Sequence, residues 1–243
     1  MSLLRVEALG KSFKGLRAVD DVSFEVTEGR ILGMIGPNGA GKTTVFNLVA
    51  GALRPDSGRV HLDGKDITGH PPHKVAAAGM SRTFQLMRPF YSMTVLENVT
   101  VAMLAGGTAK RTARTAAAEL IDRVGLGRRR DAPTEGLPTA ALKRLELARA
   151  LSSRPRVLLL DEVLAGLVPA ERAPVMELLE ELRAQEGVTL VFVEHIMAAV
   201  MRLSDSVLVL DLGRVLTSGA PEEVTRDPRV IEAYLGEDPN AEA

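Results

Sequence analysis

The chain has 243 residues, 46% of them hydrophobic and 25% charged, with a net charge of −1. That balance suits a globular chain with a sizeable buried core, and it supplies no strong field to recruit nucleic acid or an anionic membrane. The absence of cysteine excludes disulfides and thiolate metal sites, and no apolar run approaches the roughly 20 residues of a membrane span.

The opening Met1-Ser2-Leu3-Leu4-Arg5 reads as the start of a strand rather than a signal peptide, so a soluble, cytoplasmic protein is expected. Residues 3–9 and 22–26 alternate apolar and polar, as half-buried antiparallel strands do. Between them Lys11 to Gly15 reads as an exposed loop carrying one aromatic, Phe13. The run Ile31 to Ile35 is apolar throughout. Directly behind it stands Gly36-Pro37-Asn38-Gly39-Ala40-Gly41-Lys42-Thr43-Thr44, which reads G-x-x-x-x-G-K-T, and then a helical pattern from Val45 to Ala50 that Gly51 stops.

Strand, glycine loop and helix start in that order make a phosphate-binding loop. Glycines let successive N–H groups converge on one point, and the free amides of the first helical turn add to the anion site. Lys42 is placed to reach the β- and γ-phosphates, and the Thr43 hydroxyl to ligate Mg²⁺.

Downstream, Arg54 to Gly58 is a turn signal, and a strand from Arg59 to Leu62 ends at the hairpin dipeptide Asp63-Gly64. Pro71-Pro72 opens a short helix that Gly79 ends. Residues 81–86 read as a strand running into a loop, with Gln85 near its end. Met87, Pro89, Phe90 and Tyr91 follow, suiting either a partly exposed contact surface or packing between lobes. From about 94 to 152 the pattern is helical, with a break beginning at Gly125 to Arg130. That shift marks a helical lobe over about 91–152, inserted between strand-rich parts at 1–90 and 153–236. The whole of 1–243 then forms one domain, with a frayed tail at 237–243.

Val157 to Leu160 is a continuous apolar run, as in a strand buried on both faces of a parallel sheet. It closes on Asp161-Glu162. An aspartate at the carboxyl end of such a strand lies in the ligand crevice, where it can hold Mg²⁺ opposite Thr43. Glu162 is placed to take a proton from the attacking water. A helix runs from Ala170 to about Glu186, and Val188 to Val193 is another buried strand whose carboxyl end carries Glu194 and His195. Shorter strands cover 206–211 and 214–218, and Pro221-Glu222-Glu223 starts a terminal helix. His61, His70 and His73 have no partners at metal-ligand spacing.

The set Gly36–Thr44, Gln85, Leu137–Leu151, Val157–Glu162 and His195 resembles the ATP-binding subunit of ABC transporters over essentially the whole chain. Within that family the chain is most similar to ATP-binding proteins of branched-chain amino acid uptake systems. The residues that carry this are Val45-Phe46-Asn47, Arg82-Thr83-Phe84-Gln85, Ala165-Gly166-Leu167, Val193-Glu194-His195, and the ending from Asp227 to Gly236. The resemblance implies an α/β phosphate-loop NTPase fold of the ABC ATPase kind. Its core is a mixed sheet, with an antiparallel β subdomain and an inserted α-helical subdomain.

It implies ATP and Mg²⁺, with Phe13 stacked on adenine, Gln85 on the metal, Glu162 as catalytic base and His195 clamping the γ-phosphate and attacking water. Leu164 to Leu167 would touch a second ATP-binding subunit, the two closing face to face over two ATP molecules. Permease subunits would hold the pair at the inner face of the membrane, served by a periplasmic or extracellular solute-binding protein. No guanine-reading Asn-Lys-x-Asp motif occurs, which speaks against a GTPase. A nucleotide-gated regulatory subunit is the alternative reading.

One segment departs from the family pattern. Where Leu-Ser-Gly-Gly-Gln is usual, the lead-in is Leu137-Pro138-Thr139-Ala140-Ala141. Pro138 removes a hydroxyl and an N–H donor, and Ala140 puts a Cβ where glycine lets backbone approach phosphate. Two donors lost from a developing oxyanion cost about 10²-fold or more in rate. An asymmetric heterodimer is therefore expected, with pairing of the chain with itself left open.

Overall fold

The computed structural model describes residues 2–83 and 89–235. Strands β1 (Ser2–Phe13) and β2 (Leu16–Thr27) form a hairpin closed by Lys14 at φ 45° and Gly15 at φ 90°. Two successive positive φ values are the signature of a turn that matches strand twist. The expected loop from Lys11 to Gly15 is thus mostly strand: Lys11 pairs with Val19, Ser12 with Arg17 and Phe13 with Leu16. Register shifts carry the pairing past the point where the apolar alternation stops. β4 (Ser57–Leu62) and β5 (Lys65–Asp66), joined at Asp63-Gly64 as expected, complete a four-stranded sheet in the order β2-β1-β4-β5.

The second sheet has six strands in the order β10-β9-β3-β8-β7-β6. These are β3 (Ile31–Ile35), β6 (Met80–Arg82), β7 (Val157–Asp161), β8 (Thr189–Val193), β9 (Ser206–Asp211) and β10 (Arg214–Gly219). β3, β6, β7, β8 and β9 are paired in parallel, and β10 runs antiparallel at the edge. Every residue of β3, β7 and β8 is buried, yet alternation still sorts them. Ile31, Ile35, Leu158, Leu160, Leu190 and Phe192 join a core shared with the long helices. Leu32, Met34, Leu159, Val191 and Val193 join a second core with the helix behind the phosphate loop and the four-stranded sheet. Each such side chain, fully buried, contributes about 1.5–3 kcal/mol.

The helices are α1 (Lys42–Val49), α2 (Pro72–Ala77), α3 (Val95–Ala105), α4 (Lys110–Arg123), α5 (Thr139–Leu151), α6 (Pro169–Glu186), α7 (Met197–Leu203), α8 (Pro221–Val224) and α9 (Pro228–Leu235). Thr94 and Glu97 start α3 with a reciprocal capping box. The apolar faces of α3 to α6 pack into the same cluster as one face of the six-stranded sheet. One expectation at the carboxyl end needs correction, and one helix, α7, adds to what the sequence showed. The single helix expected from Pro221 is two, because Pro228 lacks the N–H to continue one, and the Asp227 carboxylate instead accepts from the Arg229 N–H at 2.9 Å to open α9. α7 was not expected, since Ile196 to Val200 reads as a bare apolar run without period. No described helix is long and apolar enough to cross a membrane.

Candidate active site

The sheet order brings the chemistry together. β3 and β7 flank β8, and Met34 and Asp161 both sit level with Val193. The carboxyl ends of three neighbouring strands therefore lead side by side into Gly36, Glu162 and Glu194-His195. Open α/β sheets bind ligands at that edge.

Gly36 leaves β3 at φ 149°, and a Cβ there would stand 2.1 Å from the Leu210 carbonyl oxygen. Gly41 lies at φ 97°, with a Cβ position 2.5 Å from the Ala18 oxygen of β2. Only glycine fits either place. Gly41 is the N-cap of α1, and no side chain caps the helix, so its first amides face outward as an anion site. Lys42 is buried, with Nζ donating to the carbonyls of Gly36 at 2.6 Å and Pro37 at 2.7 Å. Asn38, Gly39 and Thr43 are exposed, and Pro37 and Ala40 are buried beneath them. Phe13, at the hairpin end, is 42% exposed, with the Lys11 ammonium 5.7 Å from its ring centre. Gln85 and Met87 lie outside the described residues.

Asp161 is buried, and its backbone N–H donates to Thr83 Oγ1 at 3.0 Å. Arg82 Nη2 lies 3.3 Å from Oδ2, and Nη1 of the same guanidinium donates to Asn47 Oδ1 at 2.6 Å. Oδ1 is buried and has no hydrogen-bond partner among the described residues. Burial raises the Asp161 pKa, against the opposing pull of Arg82. A buried carboxylate oxygen left over at a phosphate site suits a hard cation such as Mg²⁺. Among the described residues no three His, Asp or Glu cluster as a metal cage, so oxygens from the loop side and the phosphates would have to complete the shell.

Glu162 sits at φ 49°, a backbone conformation that costs a non-glycine residue about 1–3 kcal/mol. Several contacts hold it there. Its N–H donates to Val193 O at 3.0 Å, while Lys143 Nζ donates to Glu162 O at 2.6 Å and Ala165 O at 2.5 Å. The side chain is thereby aimed at His195, with Glu162 Oε1 and His195 Nε2 2.9 Å apart. Behind the pair lies Glu194, buried, with Oε1 accepting from the Leu164 N–H at 2.7 Å. Burial raises the pKa of Glu194 and lowers that of Lys143, and each partly offsets the other.

Arg82, Thr83, Lys143 and Glu194 are the site residues that sequence reading left without a role. Lys143 is one cation on a helix rich in them, and only the fold shows that it spans to the next strand's end. Glu194 carries a usable signal, an acid directly after a fully apolar strand.

The segment from Leu137 enters α5 with Pro138 at the N-cap and no side-chain cap. Pro138 and Thr139 are exposed, while Leu137 and Ala141 are buried. Of Leu164 to Leu167, the two leucines are buried in the core and only Gly166 is exposed. Phe90 and Tyr91 are exposed, whereas Pro89 is buried.

A phosphate-loop strand and helix, with an acid pair and a histidine on adjoining strand ends, define a phosphate-loop nucleotide hydrolase. Comparison with known proteins narrows this. Residues 19–165 match the family described as ABC transporter, and residues 214–239 match branched-chain amino acid ATP-binding cassette transporter. The chain is 41% identical to the high-affinity branched-chain amino acid transport ATP-binding protein BraF of Pseudomonas aeruginosa, over 97% of this chain and 98% of that protein. It is 40% identical to LivG of Escherichia coli, an ATP-binding protein of the same transport, with the same coverage. The ADP conformation of an ATP-binding cassette from an ABC transporter superposes with a TM-score of 0.88 at 31% identity, covering 98% of this chain and 100% of that one. The chain belongs to the ABC transporter family, as one of its ATP-hydrolysing subunits.

Proposed function

We propose that this chain powers the import of branched-chain or related amino acids by binding and hydrolysing MgATP. The relatives named above supply the cargo class, and a single geometric fact supports the hydrolytic role: Glu162 Oε1 and His195 Nε2 lie 2.9 Å apart beside the phosphate loop. In this reading the backbone amides from Asn38 to Thr44 grip the triphosphate, and Lys42 leaves the Gly36 and Pro37 carbonyls to reach its outer phosphates. Asp161 and Thr43, with Gln85, would hold Mg²⁺, which neutralises charge on the phosphates when bound. Glu162 takes a proton from the attacking water as the water oxygen bonds to the γ-phosphorus and the β–γ bridge breaks. His195 orients that carboxylate and the water. Phe13 offers its exposed ring to adenine.

The proposed assembly is a pair of ATP-binding subunits on two permeases at the inner membrane face, fed by a solute-binding protein. Residues 91–152 would form the lobe that meets the partner's nucleotide through Leu137–Ala141, with 1–90 and 153–236 as the catalytic lobe. Phe90 and Tyr91 are exposed beside that helical lobe. Because Pro138 lacks two donors and Ala140 sets a Cβ where backbone would approach phosphate, we infer a heterodimer with unequal sites. The site built on this chain's phosphate loop should turn over about 10²-fold or more faster than the site built on its Leu137–Ala141 segment, since one donor to a developing oxyanion is worth about 10²–10³. Single-turnover assays of the assembled pair, with one phosphate loop inactivated at a time, measure the two rates, and equal rates would refute the asymmetry.

A further inference from the structure

The conspicuous ending from Asp227 to Leu235 has no part in the chemistry above, yet it reaches the phosphate loop. α9 is anchored by Val230, buried in the main core, and by Asp227 at its start. At its far end Tyr234 packs partly buried against that core, and its hydroxyl oxygen accepts from the backbone N–H of Gly36 at 2.7 Å. We propose that Tyr234 is a positioning residue for nucleotide binding, through which the carboxyl-terminal segment sets the affinity of the phosphate loop for MgATP.

The argument rests on what Gly36 must do. It is where β3 turns out of the sheet, at a φ only glycine tolerates and with Leu210 O crowding the place of a side chain. An amide there has left the strand ladder, and an unpaired buried N–H is costly. Tyr234 satisfies it. The carbonyl of the same residue holds Lys42 Nζ at 2.6 Å. Both polar groups of Gly36 are therefore committed, one to the carboxyl-terminal helix and one to the lysine that must swing to the phosphates. Once Lys42 lets go, the Tyr234 hydroxyl still ties the loop's entry to the body of the protein. A loop pre-set in this way binds without first losing conformational freedom, and affinity gains by the ordering it avoids.

This inference rests on the proposed nucleotide site, and the test separates the two. Tyr234→Phe keeps the ring and removes only the hydroxyl. We expect its MgATP Kd, and KM in the assembled complex, to rise about fivefold, the factor one net hydrogen bond supplies, with kcat held within about twofold. Leu120→Ala is the control: it opens a gap in the buried face of α4, away from α9 and the hydroxyl, and should lower the melting temperature while leaving KM unchanged. A Tyr234→Phe protein that binds MgATP within about twofold of wild type, or that loses only melting temperature as the control does, overturns the inference and leaves the nucleotide site standing. Failure of the wild-type chain to bind MgATP would instead overturn the site itself.

Discussion

Glu162→Gln in the assembled transporter is expected to lower ATP turnover by about 10²-fold or more, the usual worth of a positioned general base, with MgATP binding retained. The substitution changes little else. Glutamine is nearly isosteric, the strained backbone at φ 49° stays held by Lys143 through the main-chain oxygen, and the amide can still hydrogen-bond to His195. What disappears is the basic oxygen that takes the water's proton. Phosphate release under saturating MgATP measures the loss, and nucleotide binding by a fluorescent analogue checks retention. A complex that hydrolyses equally well after the change would mean that Glu162 does no chemistry, and the nucleotide-gated regulatory reading would replace it.

Lys42→Ala is expected to act at the earlier step, weakening MgATP binding by roughly 10²-fold as charge-assisted hydrogen bonds to phosphate are lost. The lysine also has a structural task, because Nζ satisfies two loop carbonyls that lie under it. A modest fall in melting temperature should therefore accompany the loss of affinity. Equilibrium binding separates these effects, since a protein merely loosened at the loop would recover affinity on cooling. Unchanged affinity for MgATP would remove Lys42 from the site.

These residues were legible in the chain because their signals are local. Gly36 to Thr44 is contiguous, and its flanking strand and helix declare themselves within a few residues. Asp161-Glu162 and His195 were readable for a related reason: each ends an apolar run, and strand ends of a parallel sheet converge. The antiparallel hairpin was legible as two strands but not in extent, since register shifts let Lys11 to Phe13 pair where alternation had lapsed.

Contacts that span the fold left no such trace. Arg82 meets Asp161 across 79 residues and Asn47 across 35. Lys143 reaches the Glu162 backbone from the preceding helix, and Tyr234 reaches Gly36 across 198 positions. No periodicity predicts which long polar side chain bridges two elements, because that depends on how the elements pack. The division of the chain's carboxyl end into α8 and α9 is a subtler case. Pro228 is visible, but the signal at Pro221 marks only where a helix starts and not where it stops.

The most direct test is a crystal structure of the chain with Mg²⁺ and a non-hydrolysable ATP analogue. The triphosphate should lie against the amides from Asn38 to Thr44, with the metal beside the Asp161 oxygen that has no partner among the described residues and Lys42 turned from the Gly36 carbonyl to the phosphates. A nucleotide bound through other residues, or a phosphate loop left empty at saturating analogue, would contradict the account.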